Sequence, residues 1–355
     1  MAKRYVIIGA GAIGAGLGGL LINAGVPAAL VARGAHLDAI RSSGLLVRSP
    51  GGTFTVTPPA AAGPDDLRLT TEDVLVLTTK TQHAEAALAQ WADAPVFDHD
   101  LDATAASPIG TSGDLLPVLT ALNGVASESM ALRWFARVFG VCVWMPATYV
   151  VPGEVIVRGA PASGVMHVGR FPAELATDAD RNLLAEVASD WGKAGFVVPT
   201  PADVMPWKYR KLLGNLGNAF NALLGDVPGA GDLTALARQE GTQIIEAAGI
   251  ALNDVAEENA ARTAFSVQPV EGAPARSGSS TWQSLSRGTG SAESDYLNGE
   301  IVAIAHRIGR TAPVNGAVAR SIRAAAVTGA KPGDITVEQL RSRLDEGQND
   351  RHPVD

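Results

Sequence analysis

The turn that joins the first strand to the first helix constrains this chain more than any other stretch. Tyr5-Val6-Ile7-Ile8 is apolar and rich in β-branching. It leads into Gly9-Ala10-Gly11-Ala12-Ile13-Gly14, and a small-residue helix running through Leu21-Ile22 follows at once. Strand, Gly-x-Gly-x-x-Gly and helix in this order form a dinucleotide-binding fingerprint. Gly9 permits the tight turn, Gly11 lets the backbone approach a pyrophosphate, and Gly14 lets the helix pack close to its strand. The helix N-terminus, at Ala12 and Ile13, offers backbone N–H groups to the anion. In a chain with 39 glycines the pattern alone carries little weight; its setting between a strand and a helix supplies it.

The second strand narrows the cofactor. After the helix ends near Asn23-Ala24-Gly25, Ala28-Ala29-Leu30-Val31 should pair beside the first strand, and its end should meet the adenosine ribose. NAD sites place an acid there for the 2′-hydroxyl. This chain has Ala32-Arg33-Gly34, with Asp38 the nearest acid, and Arg33 can pair with a 2′-phosphate, so NADPH is favoured over NADH. His36 reads as a solvated loop residue.

At 355 residues two domains are expected, each able to bury its own core. A hydrophobic share of 46% with 18% charged residues describes a soluble globular protein, and a net charge of −8 argues against nucleic acid or an anionic membrane as partner. Cys142, the single cysteine, sits in the apolar run Phe139 to Trp144 and reads as an inert core thiol. No signal peptide or membrane-spanning run is evident, so the cytoplasm is the expected compartment.

Farther along, Leu45 to Arg48 and Phe54 to Thr57 read as a hairpin about Ser49-Pro50-Gly51-Gly52. Asp73 to Thr79 is the next parallel strand and delivers Lys80 at its C-terminal end, where open α/β sheets bind ligands. Residues 94–113 read as a long loop; Asp98-His99-Asp100-Leu101-Asp102 lies within it, but neighbouring side chains alternate in direction and no metal site is expected. Leu115 to Leu122 ends in Asn123-Gly124, where an amide can face cofactor or substrate. Strands over Val138 to Val151 and Glu154 to Arg158, a helix near Asp178 to Ala194 and the strand Gly195 to Val198 complete the sheet. Beyond Pro199-Thr200-Pro201 apolar residues recur at three- and four-residue spacing. The expected division is a Rossmann-type α/β domain over 1–200, an all-α substrate and dimerisation domain over 201–330, and a polar tail over 331–355 with one short helix, Val337 to Leu344. The active site is expected in the cleft between the two domains, and the apolar helical positions are compatible with a homodimer.

The helix near Met205 carries Lys208, Arg210, Lys211 and Asn215. Lys211 and Asn215 fall one turn apart on one face and together can hold a carbonyl and supply a proton; read alone, the three cations also suit a solvated basic face. Ser277-Gly278-Ser279-Ser280 offers hydroxyls in a loop, and Glu293-Ser294-Asp295-Tyr296-Leu297-Asn298-Gly299 opens a further helix.

These residues together resemble the ketopantoate reductase (2-dehydropantoate 2-reductase) family, from Tyr5 to about Gly316. The resemblance rests on the glycine fingerprint, Lys80, Asn123-Gly124, Lys211 with Asn215, and Glu293. It implies that Lys211 is the general acid for reduction of a 2-oxo acid by NADPH, most simply 2-dehydropantoate to pantoate. It further implies that Glu293 binds the substrate hydroxyl and orients Lys211, that Asn215 and Ser280 bind substrate, that Asn123 and Lys80 lie at the nicotinamide and substrate junction, and that Arg33 meets the 2′-phosphate. Ala219 and Gly229 stand where the family carries asparagines, so another branched or hydroxylated 2-oxo acid is the alternative substrate. From a different class, a non-catalytic NADP(H)-binding regulator on the same fold fits the altered positions. An opine-type dehydrogenase would need a histidine paired with an acid, which His306 does not provide.

Overall fold

Two faces of one parallel sheet explain the alternation in the first strand. A computed structural model describes residues 3–100, 107–225, 227–274, 278–286, 288 and 293–349. Its main sheet has eight strands, β1 (Arg4–Ile8), β2 (Ala28–Val31), β3 (Ala60–Ala61), β4 (Asp73–Leu77), β5 (Pro117–Thr120), β6 (Arg137–Trp144), β7 (Gly164–Phe171) and β8 (Phe196–Val197). They lie in the order β8-β7-β6-β5-β4-β1-β2-β3, and every pairing is parallel except β6 with β7. The chain passes from β1 outward to β2 and β3, then returns to the other side of β1 for β4. That reversal makes the C-terminal end of β1 a topological switch point, where sheets of this kind bind ligands.

In β1, Tyr5 and Ile7 enter one core layer with Leu17, Leu21, Leu30 and Trp191, while Val6 and Ile8 enter the other with Leu75, Leu88 and Trp91. A strand covered on both faces has no polar side to show, hence the unbroken apolar run. The first helix, α1 (Ala12–Asn23), lies against this sheet with glycines on its inner side. A Cβ on Gly19 would stand 2.6 Å from Val47 Cγ2. Val47 belongs to a smaller sheet, ordered Ala147–Tyr149, Glu154–Val157, Leu45–Ser49, Gly52–Val56, which covers α1. The helix Asp178–Lys193 begins with a capping box between Thr177 and Asp180, worth about 1 kcal/mol, and the Asp180 carboxylate also takes Arg137 at 2.8 Å.

Contacts divide the chain into two units. The first holds residues up to Leu122, Ser127–Trp207 and the segment beginning at Asp254; the second holds Asn123–Ala126, Lys208–Asn253 and the described residues from Gly278 onward. Residues 254–274, read from the sequence as part of the helical domain, therefore pack on the first unit. There Phe265–Val267 pairs antiparallel with Gly159–Pro161, Arg158 donates to the Pro274 carbonyl, and Arg262 lies 4.7 Å from the Trp144 ring. The long loop expected over 94–113 is also corrected. Pro95–Phe97 pairs with Leu69–Thr70 and Gly110–Thr111 in a three-stranded sheet, because Val96 is wholly buried; residues 101–106, including Asp102, lie outside the described residues.

The second unit is helical, with its core in Phe220, Leu223, Leu233, Val318 and Ile322. Leu340 and Leu344 join that core, so the helix expected from Val337 to Leu344 is present as Val337–Asn349 and packs on this unit. Among the described residues no helix is long and apolar enough to cross a membrane, and no group of His, Cys, Asp and Glu could hold a metal ion.

A buried histidine gives the first unit a titratable weak point. His167 on β7 is 1% exposed and stacks on Trp207 with ring centroids 3.8 Å apart, opposite Cys142 on β6. Neither ring nitrogen has a hydrogen-bond partner among the described residues, and burial pushes the imidazole down to about 4. The unfolded chain takes up this proton near pH 6.5 and the folded chain only near 4. The stabilisation is therefore full above pH 6.5 and falls by about 3 kcal/mol as the pH drops to 4. Denaturant unfolding of His167→Phe, which keeps the stack, should lose that acid slope; an unchanged slope would assign it to other groups.

Candidate active site

Three strand ends meet at the switch point. Beyond β1 the chain turns at Gly9, φ +105°, and the N–H groups of Gly9 and Ala10 both donate to the Val31 carbonyl at the end of β2 (3.2 and 2.8 Å). The third side is closed by β4. Thr78 Oγ1 donates to the Gly9 carbonyl at 2.7 Å, and a Cβ on Gly9 would stand 2.9 Å from Thr79 Cγ2.

The three glycines do different work here. A Cβ on Gly14 would overlap the Gly9 carbonyl and Thr78 Oγ1, so Gly14 sets how closely α1 approaches its strand. A Cβ on Gly11 would meet no heavy atom within 4 Å. Gly11 thus borders open space directly before Ala12 and Ile13. No side chain caps this helix end, and no acidic residue stands in its first turn. First-turn N–H groups without a side-chain cap, beside a position that bears no side chain, could hold an anionic pyrophosphate.

Around this turn stand the other first-unit candidates. Arg33 immediately precedes the Gly34–Ser43 helix; it is exposed, and its guanidinium reaches Gln90 Oε1 at 3.5 Å. Ala32 stands beside it, and no acid stands at the strand end. Lys80 follows β4 and opens the short turn Thr81–His83, where its carbonyl accepts the His83 N–H at 2.8 Å. His36 is not a solvated loop residue: it lies on the Gly34–Ser43 helix, buried, with Nδ1 accepting the Gly153 N–H at 2.9 Å.

The second unit gathers the remaining candidates. Lys211 Nζ donates to Asn123 Oδ1 at 2.9 Å. Lys211 lies on the helix Met205–Asn215, whose basic face is not solvated: Lys208 is 2% exposed and Arg210 donates twice to the Asn253 carbonyl. One turn on, Asn215 has a buried Nδ2 with no hydrogen-bond partner among the described residues, a donor available to a ligand oxygen.

Glu293, 4% exposed, opens the turn Glu293–Tyr296. Gly124, φ +79°, meets that turn closely, since a Cβ there would lie 2.6 Å from the Tyr296 carbonyl. The turn runs into Asn298, whose side chain donates to Asn315 Oδ1 at 2.9 Å; Asn315 in turn donates to the Ala237 carbonyl at 3.0 Å. Glu240 accepts the Val314 N–H at 2.8 Å and so caps the helix Pro313–Thr328. The spacing of the sequence did not reveal this polar network, which begins two residues past the Glu293–Tyr296 turn. Ser280 begins the Ser280–Ser286 helix. Beside it, Ser279 donates to the Asn218 carbonyl at 3.0 Å and its N–H to Asn221 Oδ1 at 2.8 Å, while Ser277 lies outside the described residues.

Residues 5–173 match the family Ketopantoate reductase PanE/ApbA, and residues 203–326 match Ketopantoate reductase PanE/ApbA C terminal. The chain belongs to the ketopantoate reductase family. It is 30% identical over 253 residues to a 2-dehydropantoate 2-reductase of Mesorhizobium japonicum, covering 68% of this chain and 72% of the relative. To the 2-dehydropantoate 2-reductase of Pyrococcus horikoshii it is 26% identical over 318 residues, 88% of this chain and 94% of the relative. The PanE/ApbA family ketopantoate reductase from Ralstonia eutropha JMP134 shares the fold at a TM-score of 0.71 and 24% identity, over 92% of this chain and 99% of that one. A D-mandelate dehydrogenase solved with NADH and anilino(oxo)acetate shares it at 0.72 and 19% identity, with the same coverage.

The glycines separate packing from binding. Gly14→Ala should lower unfolding stability by roughly 3 kcal/mol, because overpacking forces backbone apart. Gly11→Ala should leave thermal unfolding nearly unchanged while weakening nucleotide binding measured by fluorescence titration. Equal stability losses in the two variants would contradict this division.

Proposed function

We propose that this protein reduces a 2-oxo acid with NADPH, and that 2-dehydropantoate is the substrate. The observation that carries the reading is the Lys211–Asn123 hydrogen bond, which holds an ammonium group on an amide oxygen in place of a solvated lysine. A bound reduced nicotinamide supplies the hydride. Lys211 donates a proton to the ketone oxygen, where negative charge builds as the carbonyl is reduced. Asn123 fixes the direction of the ammonium group. Asn215 offers its buried Nδ2–H to a substrate oxygen, Ser280 its hydroxyl to the carboxylate, and Glu293 accepts from the substrate hydroxyl. Open space at Gly11 and the uncapped start of α1 support a pyrophosphate there, and Arg33 with no neighbouring strand-end acid supports NADPH over NADH.

The name shared by the curated relatives supports 2-dehydropantoate. Another branched or hydroxylated 2-oxo acid is favoured by one position, Gly229, which precedes the helix Ala230–Ala247 in the left-handed region at φ +85° and offers no side chain to a substrate. Ala219 carries no such weight, since it is 2% exposed and packs in the helical core.

Lys211→Ala should lower kcat by about 10²–10⁴-fold, the usual contribution of a positioned general acid, with the NADPH dissociation constant nearly unchanged. Retention of wild-type kcat in that variant would remove Lys211 from the chemistry.

A further inference from the structure

Asn215 ends the helix that carries Lys211, and the backbone on both sides of it is held by side chains from other helices of the same unit. The last carbonyls of a helix have no partner within it. Here Arg238 Nη2 donates to the Gly214 carbonyl at 3.2 Å, and Asn298 Nδ2 donates to the Leu216 carbonyl at 3.4 Å. Asn298 is wholly buried and also donates to Asn315 Oδ1, and Asn315 is fastened in turn to the Ala237 carbonyl. Packing holds the same stretch. On the helix Ala230–Ala247, residues Thr234, Ala237, Arg238 and Gly241 share one face by helical spacing. A Cβ on Gly241 would stand 2.8 Å from Leu216 Cδ1 and 3.1 Å from Leu213 Cδ2. One on Gly217 would stand 3.1 Å from Thr234 Cγ2 and 3.3 Å from Arg238 Nη2. These two glycines allow close contact at the point where the helix Met205–Asn215 gives way to the helix Gly217–Leu224.

We propose that Arg238 and Asn298 are positioning residues for Asn215, a clamp on the two residues that flank it which aims its side-chain amide at an oxygen of the oxo acid. The inference rests on the reading of Asn215 as a substrate donor. Helix ends fray, so an amide on the last residue of a helix is poorly aimed unless something else restrains the backbone there. A site held about 1 Å too loosely loses much of its function. Arg238 is exposed and acts through the Gly214 carbonyl, where a cation also suits the negative end of the helix dipole. Asn298 acts from the buried side through the Leu216 carbonyl. Lys211 is directed separately, by Asn123. The clamp therefore bears on substrate binding and leaves proton transfer to Lys211.

Steady-state kinetics and a double-mutant cycle test this, with NADPH and 2-dehydropantoate or whichever 2-oxo acid the protein reduces fastest. Arg238→Ala removes an exposed side chain and should unfold close to the wild-type temperature. It should raise KM for the oxo acid about three- to tenfold, the effect of one hydrogen bond, while kcat and KM for NADPH stay within about twofold. Asn298→Ala should show the same split together with a lower unfolding temperature, because it leaves buried acceptors without their donor. Asn215→Ala should raise KM for the oxo acid at least as much. Adding Arg238→Ala to Asn215→Ala should have no further effect, since the clamp then has no amide to aim. An unchanged KM in either clamp variant would overturn the role. So would a full further loss in the double variant, the result expected of a guanidinium that attracts the substrate anion directly. An unchanged KM in Asn215→Ala would remove Asn215 from substrate binding, and this inference with it. Turnover of no 2-oxo acid by the wild-type protein would instead overturn the proposed reaction.

Discussion

The close approach of α1 to β1 is the constraint on which the first unit depends. A helix can stand this near its strand only if Gly14 brings no side chain against the Gly9 carbonyl, and only if that carbonyl has a partner, which Thr78 supplies from β4. Three strand ends are thereby fixed to one turn by short hydrogen bonds to Val31 and Thr78. The geometry that closes the fold also leaves the first N–H groups of α1 uncapped beside an open position at Gly11. Close packing and an uncapped helix start beside open space are thus two results of one arrangement.

The helical unit solves a different problem, holding a set of charged and amide groups away from bulk water by pairing them across helices. Glu240 meets the start of the helix Pro313–Thr328, Asn315 of that same helix is joined to Asn298 and to the Ala237 carbonyl, and the turn that bears Glu293 closely meets the backbone of Gly124. Such groups are costly to bury unless paired, and their pairing gives the unit a single arrangement of its polar side chains. Lys211 depends on the same logic, since its ammonium group is directed by one amide oxygen.

Much of this was legible in the sequence because it follows from local rules. The apolar run before Gly9 could only be a strand covered on both faces, and Arg33 in place of an acid could be read by counting along β2. Lys211 and Asn215 shared a face by helical spacing alone. What could not be read depended on partners distant in the chain. His36 looked solvated because Gly153, its partner, is 117 residues away. The basic residues around Lys211 looked exposed because Asn123 and Asn253 come from other segments. Residues 254–274 follow helical spacing in part, and only their pairing with Gly159–Pro161 assigns them to the first unit. Val96 and Leu340 were each passed over because a short apolar segment between polar residues carries too little periodicity to reveal its burial.

The most direct test of the account is steady-state oxidation of NADPH, followed by absorbance, with 2-dehydropantoate beside a panel of other 2-oxo acids and with NADH as the competing donor. The account predicts turnover of at least one of these acids, with NADPH preferred over NADH. Binding of NADPH without turnover of any 2-oxo acid would contradict it, and would leave a nucleotide-binding protein that does not perform the reduction.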